Sequence, residues 1–144
     1  MERRDAIFVA ICLAGIAVAL VLVGAVSHTI PRHLVQIVPL VLGAGLVLGR
    51  NTSASYAAVG LCAFWAVIMG LIWLYLLGLS GVVSGTYSAV EIALTVVIAV
   101  FSVLGILKGT RADKQISGMR VPVLIAVAFV IQAVVTSVSI RFLN

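Results

Sequence analysis

The chain holds 144 residues, 64% of them hydrophobic and only 9% charged, against roughly half and a quarter in soluble globular proteins. A water-soluble core cannot take up that much apolar side chain, so a cytosolic enzyme or a soluble binding domain is excluded. The net charge of +5 does not indicate nucleic acid, because the basic residues stand at the ends of apolar stretches and in one short loop, without interleaved exposed aromatics.

Five apolar stretches follow in chain order over 6–26, 34–49, 57–79, 89–107 and 121–140, each near the roughly 20 residues a helix needs to cross the hydrocarbon. They predict an all-α polytopic integral membrane protein. A single membrane domain over 1–144 carries five transmembrane helices, with the N-terminus cytoplasmic and the C-terminus outside.

The first span opens behind Met1-Glu2-Arg3-Arg4-Asp5 and resembles a signal peptide, with Ala25-Val26-Ser27 as a cleavage-like string. Its apolar run exceeds the roughly 7 to 15 residues of a signal h-region, so it stays as a span. Ala6, Ala10, Ala14, Ala17 and Gly24 give it a small-residue face, the kind of surface on which helices approach closely in lipid. Cys12 here and Cys62 in the third span lie at similar depth and can be neighbours; neither belongs to a ligand cluster, so no disulfide or metal site is indicated.

The second span is short at 34–49, and starting it at Pro31 adds a turn and gives 31–49, since proline suits the first helical position. His28, Arg32 and His33 then occupy an outer loop between spans one and two. Pro39 should kink the helix, and Gly45 and Gly49 have the spacing of a close-packing motif, within the chain or between copies.

The third span carries a looser stripe of Gly60, Ala63, Ala66 and Gly70, with Trp65 packing between helices and Trp73 and Tyr75 anchoring at the interface, as does Tyr87 beyond it. Its end, Gly78-Leu79-Ser80-Gly81, matches the short string of rhomboid-type intramembrane serine proteases. A serine nucleophile needs a base, neither histidine lies in an apolar stretch, and the string reads as a flexible turn. No enzyme and no cofactor are expected.

In the fourth span Glu91, Thr95, Ser102, Gly105 and Gly109 share a face, and in the fifth Ala128, Gln132, Thr136 and Ser139 do. A short basic loop over 108–120 joins the two, which predicts antiparallel neighbours with facing polar stripes and a partner for Gln132 on the fourth span. Glu91 is the only acid inside an apolar stretch, a default candidate for a proton or cation site. Ser88-Ala89-Val90-Glu91 also has the spacing of a capping box, in which Glu91 serves its own helix end. With Arg32, His28 or His33 it can instead form a pH-sensitive latch or a shallow carboxylate site at the outer rim.

Charge sets the orientation, because basic residues accumulate on the cytoplasmic side. Five spans place Arg3, Arg4, Arg50, Lys108, Arg111, Lys114 and Arg120 inside and Arg32 and Arg141 outside, seven against two. Four spans, with 34–49 left out, give six against three.

Arg3-Arg4-Asp5 before the first span, Pro39-Leu40-Val41-Leu42-Gly43 in the second and the basic loop before the last resemble the small membrane subunit of tripartite tricarboxylate transporters. The resemblance covers the layout and about eight residues, and Pro31-Arg32-His33 stands where that family has glycine, proline and aromatics. It implies a larger permease partner and no binding residues of this chain's own. The expected function is a non-catalytic accessory subunit of a larger membrane complex, such as a carboxylate transporter, in a bacterial inner membrane. The alternative is a small homo-oligomeric channel with Gly45 and Gly49 between copies and Glu91, Thr95 and Ser102 along its path.

Overall fold

The computed structural model describes residues 2–49, 51–111 and 119–143. Its helices are α1 (Arg3–Val26), α2 (Ile30–Gln36), α3 (Val38–Leu48), α4 (Thr52–Leu76), α5 (Ala89–Arg111) and α6 (Arg120–Phe142), with no strand among the described residues. Taken together, α2 and α3 form one apolar rod, so five helices are long and apolar enough to cross a membrane. In lipid that is the expected outcome, since a helix satisfies its backbone internally where no water can.

The first three spans begin earlier than hydropathy suggests. α4 starts at Thr52, where the side chain of Asn51 accepts the Ser53 N–H at 3.0 Å and so caps the helix. α5 runs on to Arg111, so Lys108 to Arg111 are helical and not part of the expected loop over 108–120. Residues 112–118 of that loop, with Lys114, and Arg50 in the orientation count lie outside the described residues.

The second crossing starts at Ile30, with Pro31 in the first turn, so Arg32 and His33 are helical and not loop residues. His33 is 4% exposed. The rod is broken at Ile37, two residues before Pro39. Proline removes a donor and its ring crowds the carbonyl one turn earlier, which forces the break.

α4 is the hub of the bundle. It packs against α3, α5 and α6, while α1 packs against α2, α3 and α5. α5 and α6 therefore do not form the packed pair that their short connection predicts; each lies against α4 instead. Small residues cause this. A Cβ on Gly60 of α4 would collide with the Ile125 carbonyl oxygen of α6, and a Cβ on Gly105 of α5 would lie 2.6 Å from Cys62 Sγ. α4 thus admits a close neighbour on both flanks. Phe64 stacks edge-on to Trp65 and to Phe129 of α6, both at 5.4 Å between ring centroids.

The predicted small and polar faces are the buried ones on α5 and α6: Thr95, Ser102, Gly105 and Gly109 on the first, Ala128, Gln132, Thr136 and Ser139 on the second. Gly45 and Gly49 differ. Both are exposed, and among the described residues a Cβ on Gly45 would meet nothing within 4 Å and one on Gly49 only carbonyls of its own helix, so no described helix packs closely on them.

Candidate functional site

A cavity of about 270 Å³ opens at the end of the bundle that carries the turn between α1 and α2 and the segment 77–88. Its mouth is polar, with Ser27, Arg32, His33, Tyr87 and Glu91; its deeper wall is apolar, with Leu20, Trp65, Ile68, Met69 and Ile98. Seven residues separate Glu91 from Ile98 on α5, and Trp65 from Ile72 on α4, so the cavity runs about 10 Å along the helices. Beneath it Val9, Leu13 and Ile16 are fully buried and close the bundle core.

His28 turns the chain at φ 57, a left-handed conformation that histidine adopts more readily than most side chains. From this turn a directed relay fixes the His33 ring. Ser27 Oγ donates its one proton to the Val23 carbonyl at 2.8 Å, so the 2.6 Å contact with Thr29 Oγ1 is donated by Thr29. Thr29 Oγ1 and its carbonyl, 3.2 and 3.0 Å from His33 Nδ1, then both accept. The proton is on Nδ1, and Nε2 is the acceptor of the neutral ring. His28 itself is exposed and does not line the cavity.

The Glu91 carboxylate accepts the Ser88 N–H at 2.7 Å and the Ser88 hydroxyl at 2.8 Å, and Ser88 Oγ accepts the Glu91 N–H at 3.3 Å. This reciprocal cap holds the negative charge at the positive end of α5, while the residue also lines the cavity. Tyr75 donates to the Gly85 carbonyl at 2.9 Å and lies 6.2 Å from the Tyr87 ring, pinning the segment over the mouth. Burial pushes the Tyr87 phenol up from its ordinary range, Tyr75 and Glu91 add to the rise, and Arg32 opposes it.

Beside the cavity lies a buried polar knot that the sequence did not reveal. Gln36 Nε2 donates to Ser139 Oγ at 2.9 Å, Ser139 donates to the Thr136 carbonyl at 2.7 Å, and Gln132 Nε2 donates to the Gln36 carbonyl at 3.0 Å. Gln132 was expected to find its partner on α5; it finds it at the broken rod. The Gln36 carbonyl ends α2 at the break before Pro39, and a neighbouring helix supplies the donor that the interrupted ladder does not. A glutamine three residues before a proline inside an apolar run, with an amide at similar depth elsewhere, is the signal that points to such a knot.

Thr95 and Thr136 both line the cavity, so the polar faces of α5 and α6 meet across it even though the helices do not pack. Thr95 spends its hydroxyl proton on the Ile92 carbonyl at 2.7 Å. Ser102 is fully buried beyond the cavity wall. Cys12 and Cys62 are free and buried, and both border Gly105. Ser80 Oγ accepts the Val82 N–H at 3.3 Å, as a turn residue does. Among the described residues no group of three His, Cys, Asp or Glu side chains is placed to hold a metal ion.

At the opposite end Lys108 reaches Asp5 at 3.1 Å and lies 5.7 Å over the Phe8 ring, joining α5 to α1. Both partners are partly exposed, so this pair contributes under about 1 kcal/mol. Comparison with protein-family models, curated proteins and solved structures returns no match for the chain.

Proposed function

We propose that the protein is a non-catalytic accessory subunit that docks in the membrane against a larger membrane protein. The observation that carries this reading is the outer face of α3: Gly45 and Gly49 stand exposed among Leu42, Leu46 and Leu48, with no other helix against them among the described residues. Small residues framed by leucines let a second helix approach backbone to backbone, which is the main source of affinity between helices in lipid. The interior supports the same reading. Gln36 donates to the Ser139 hydroxyl, while Gln132 and Ser139 donate to the backbone carbonyls of Gln36 and Thr136, and the buried Val9, Leu13 and Ile16 lie below the cavity, so a path through a single copy has no polar lining over its whole length. The resemblance of the layout to the small subunit of tripartite tricarboxylate transporters would make the partner a large permease and the cargo a carboxylate. The basic Arg3, Arg4, Lys108 and Arg111 would then face the cytoplasm of a bacterial inner membrane.

The test is cross-linking from a photoreactive residue at Gly45 in native membranes, with one at the exposed Val100 of α5 as control. Adducts from position 45 with a single partner much heavier than this 15.0 kDa chain, lost in Gly49→Ile, support docking. Adducts at whole multiples of the chain's own mass support the second reading, a homo-oligomeric channel with this face between copies. Equal yields from both positions, or no effect of Gly49→Ile, reject the face.

A further inference from the structure

We propose that the outer face of α1 binds one anionic diacyl phospholipid, its phosphate at Arg3 and Arg4 and its two acyl chains in the grooves that α1 forms with α5 and with the broken rod. Gly45 and Gly49 line neither groove, so the inference stands apart from the docking reading.

Shape supplies the seats for two chains. The groove between α1 and α5 measures about 530 Å³, with Ile11, Gly15 and Val18 on one wall and Leu94, Val97 and Phe101 on the other. The groove between α1 and the rod, about 350 Å³, reaches Ile37 and Val41 and shares Ala14, Val18 and Leu22 with the first. The two therefore flank a single ridge of α1, an arrangement that suits the paired chains of one lipid, and no residue lining either groove has a polar side chain. Gly15 offers no seat for a second helix, because the Phe101 ring lies 2.7 Å from where its Cβ would be. Close helix pairs need such small residues uncovered, whereas an acyl chain follows the contours of branched side chains. Length agrees. Arg4 to Val18 is fourteen residues, about 21 Å of helix, which is half of a bilayer about 40 to 45 Å thick with its headgroups.

Charge places the headgroup. At about 100° per residue, Arg4, Ile11, Gly15 and Val18 fall within about 40° of one line along α1, and Arg3, Ala14 and Val21 within about 20° of another. Each groove has an arginine at its end, and both arginines are exposed. The acidic neighbours do not cancel them. Asp5 lies 3.1 Å from Lys108 Nζ, which also stands 5.7 Å over the Phe8 ring, so α5 already neutralises that carboxylate. Glu2 sits about 160° round the helix from Arg4. Arg111, exposed in the turn after Lys108, adds a further cation. Among the described residues of this end, the cations Arg3, Arg4, Lys108 and Arg111 outnumber the carboxylates Glu2 and Asp5. Guanidinium groups pair two-pronged with a phosphate, and basic side chains at a membrane surface favour anionic lipid.

The experiment is native mass spectrometry of the full chain released from detergent micelles, titrated with dioleoyl-phosphatidylglycerol, dioleoyl-phosphatidylcholine and single-chain oleoyl-lysophosphatidylglycerol. One phosphatidylglycerol should bind saturably, about tenfold or more tighter than phosphatidylcholine, with the single-chain lipid weaker than its two-chain counterpart. Arg3→Gln combined with Arg4→Gln should weaken phosphatidylglycerol about fivefold per arginine and leave phosphatidylcholine unchanged, which also shows that the variant is folded. Arg141→Gln, at the opposite end of the bundle, should change nothing. Val18→Trp, which sets a bulky ring on the exposed ridge between the grooves, should weaken all three lipids, and free glycerol 3-phosphate should not displace phosphatidylglycerol. Equal affinity for the two diacyl lipids, undiminished phosphatidylglycerol binding in the double arginine variant, an equal loss in Arg141→Gln, a single-chain lipid bound as tightly, or displacement by glycerol 3-phosphate would each overturn the proposal. So would dimers that Val18→Trp abolishes, which would assign the grooves to a second copy.

Discussion

Replacing Gly60 by alanine tests the closest helix contact in the bundle. The added Cβ would meet the Ile125 carbonyl oxygen and stand 2.9 Å from Ala128 Cβ, where ordinary contact is about 3.5 to 4.0 Å. Neither obstacle can rotate away, since one is backbone and the other has no rotamer. α4 and α6 must therefore separate by roughly 0.5 to 1 Å, a gap that forfeits about a quarter to a half of each contact's attraction along the seam. Overpacking of this kind costs about 1 to 3 kcal/mol. Gly70, on the same helix, has nothing within 4 Å of the same added atom, so Gly70→Ala should gain about 0.5 to 1 kcal/mol from helix propensity alone. Unfolding by SDS in mixed micelles, followed by far-UV circular dichroism, reads both. The two alanine variants should move the midpoint in opposite directions; coincident midpoints would show that α4 and α6 do not touch at Gly60.

Four further outcomes follow from single contacts. Ser88→Ala removes the two bonds made by the hydroxyl, leaving the backbone N–H of residue 88 on the Glu91 carboxylate, and should cost about 1 kcal/mol, seen as faster amide hydrogen exchange confined to the first turn of α5. Cys12 and Cys62, each at most 1% exposed, should resist N-ethylmaleimide in the folded protein and take two labels in SDS. The raised Tyr87 phenol favours the folded state while it is neutral, so its stabilisation is complete below the unfolded tyrosine value near pH 10 and is lost as pH rises through the higher folded value; the ultraviolet titration of Tyr87→Phe should lack a component that ionises above the ordinary tyrosine value in the wild type. Asp5→Asn should lower stability by under about 1 kcal/mol, and less at high salt.

Much of the architecture is legible in the sequence because lipid restricts the choices. A run such as 89–107 can only be a helix in that solvent, and the spacing of Ser88 to Glu91 names its cap. The buried faces of α5 and α6 are legible too, since polar and small residues recur at helical spacing. Adjacency is not. The short connection between α5 and α6 suggests a pair, yet Gly60 and the Cys62–Gly105 contact give α4 the closer approach on both sides, and such choices depend on tenths of an ångström that no periodicity records. His33 was also misplaced. A histidine beside an arginine reads as loop, and only the Ser27–Thr29 relay shows how a helix can bury it. The cavity escapes sequence reading because five helices and the segment 77–88 contribute to its wall, although its rim residues Arg32, His33, Tyr87 and Glu91 are ones the sequence places at a common level.

The five-helix bundle requires the broken rod of α2 and α3 to be a full crossing. Single cysteines at His28 and at Asn51, placed one at a time in a Cys12→Ser, Cys62→Ala background and exposed to a membrane-impermeant maleimide from each side of sealed vesicles, decide it. The fold predicts that the two positions label from opposite faces. Labelling of both from the same face would contradict a five-crossing bundle and the cavity built on it.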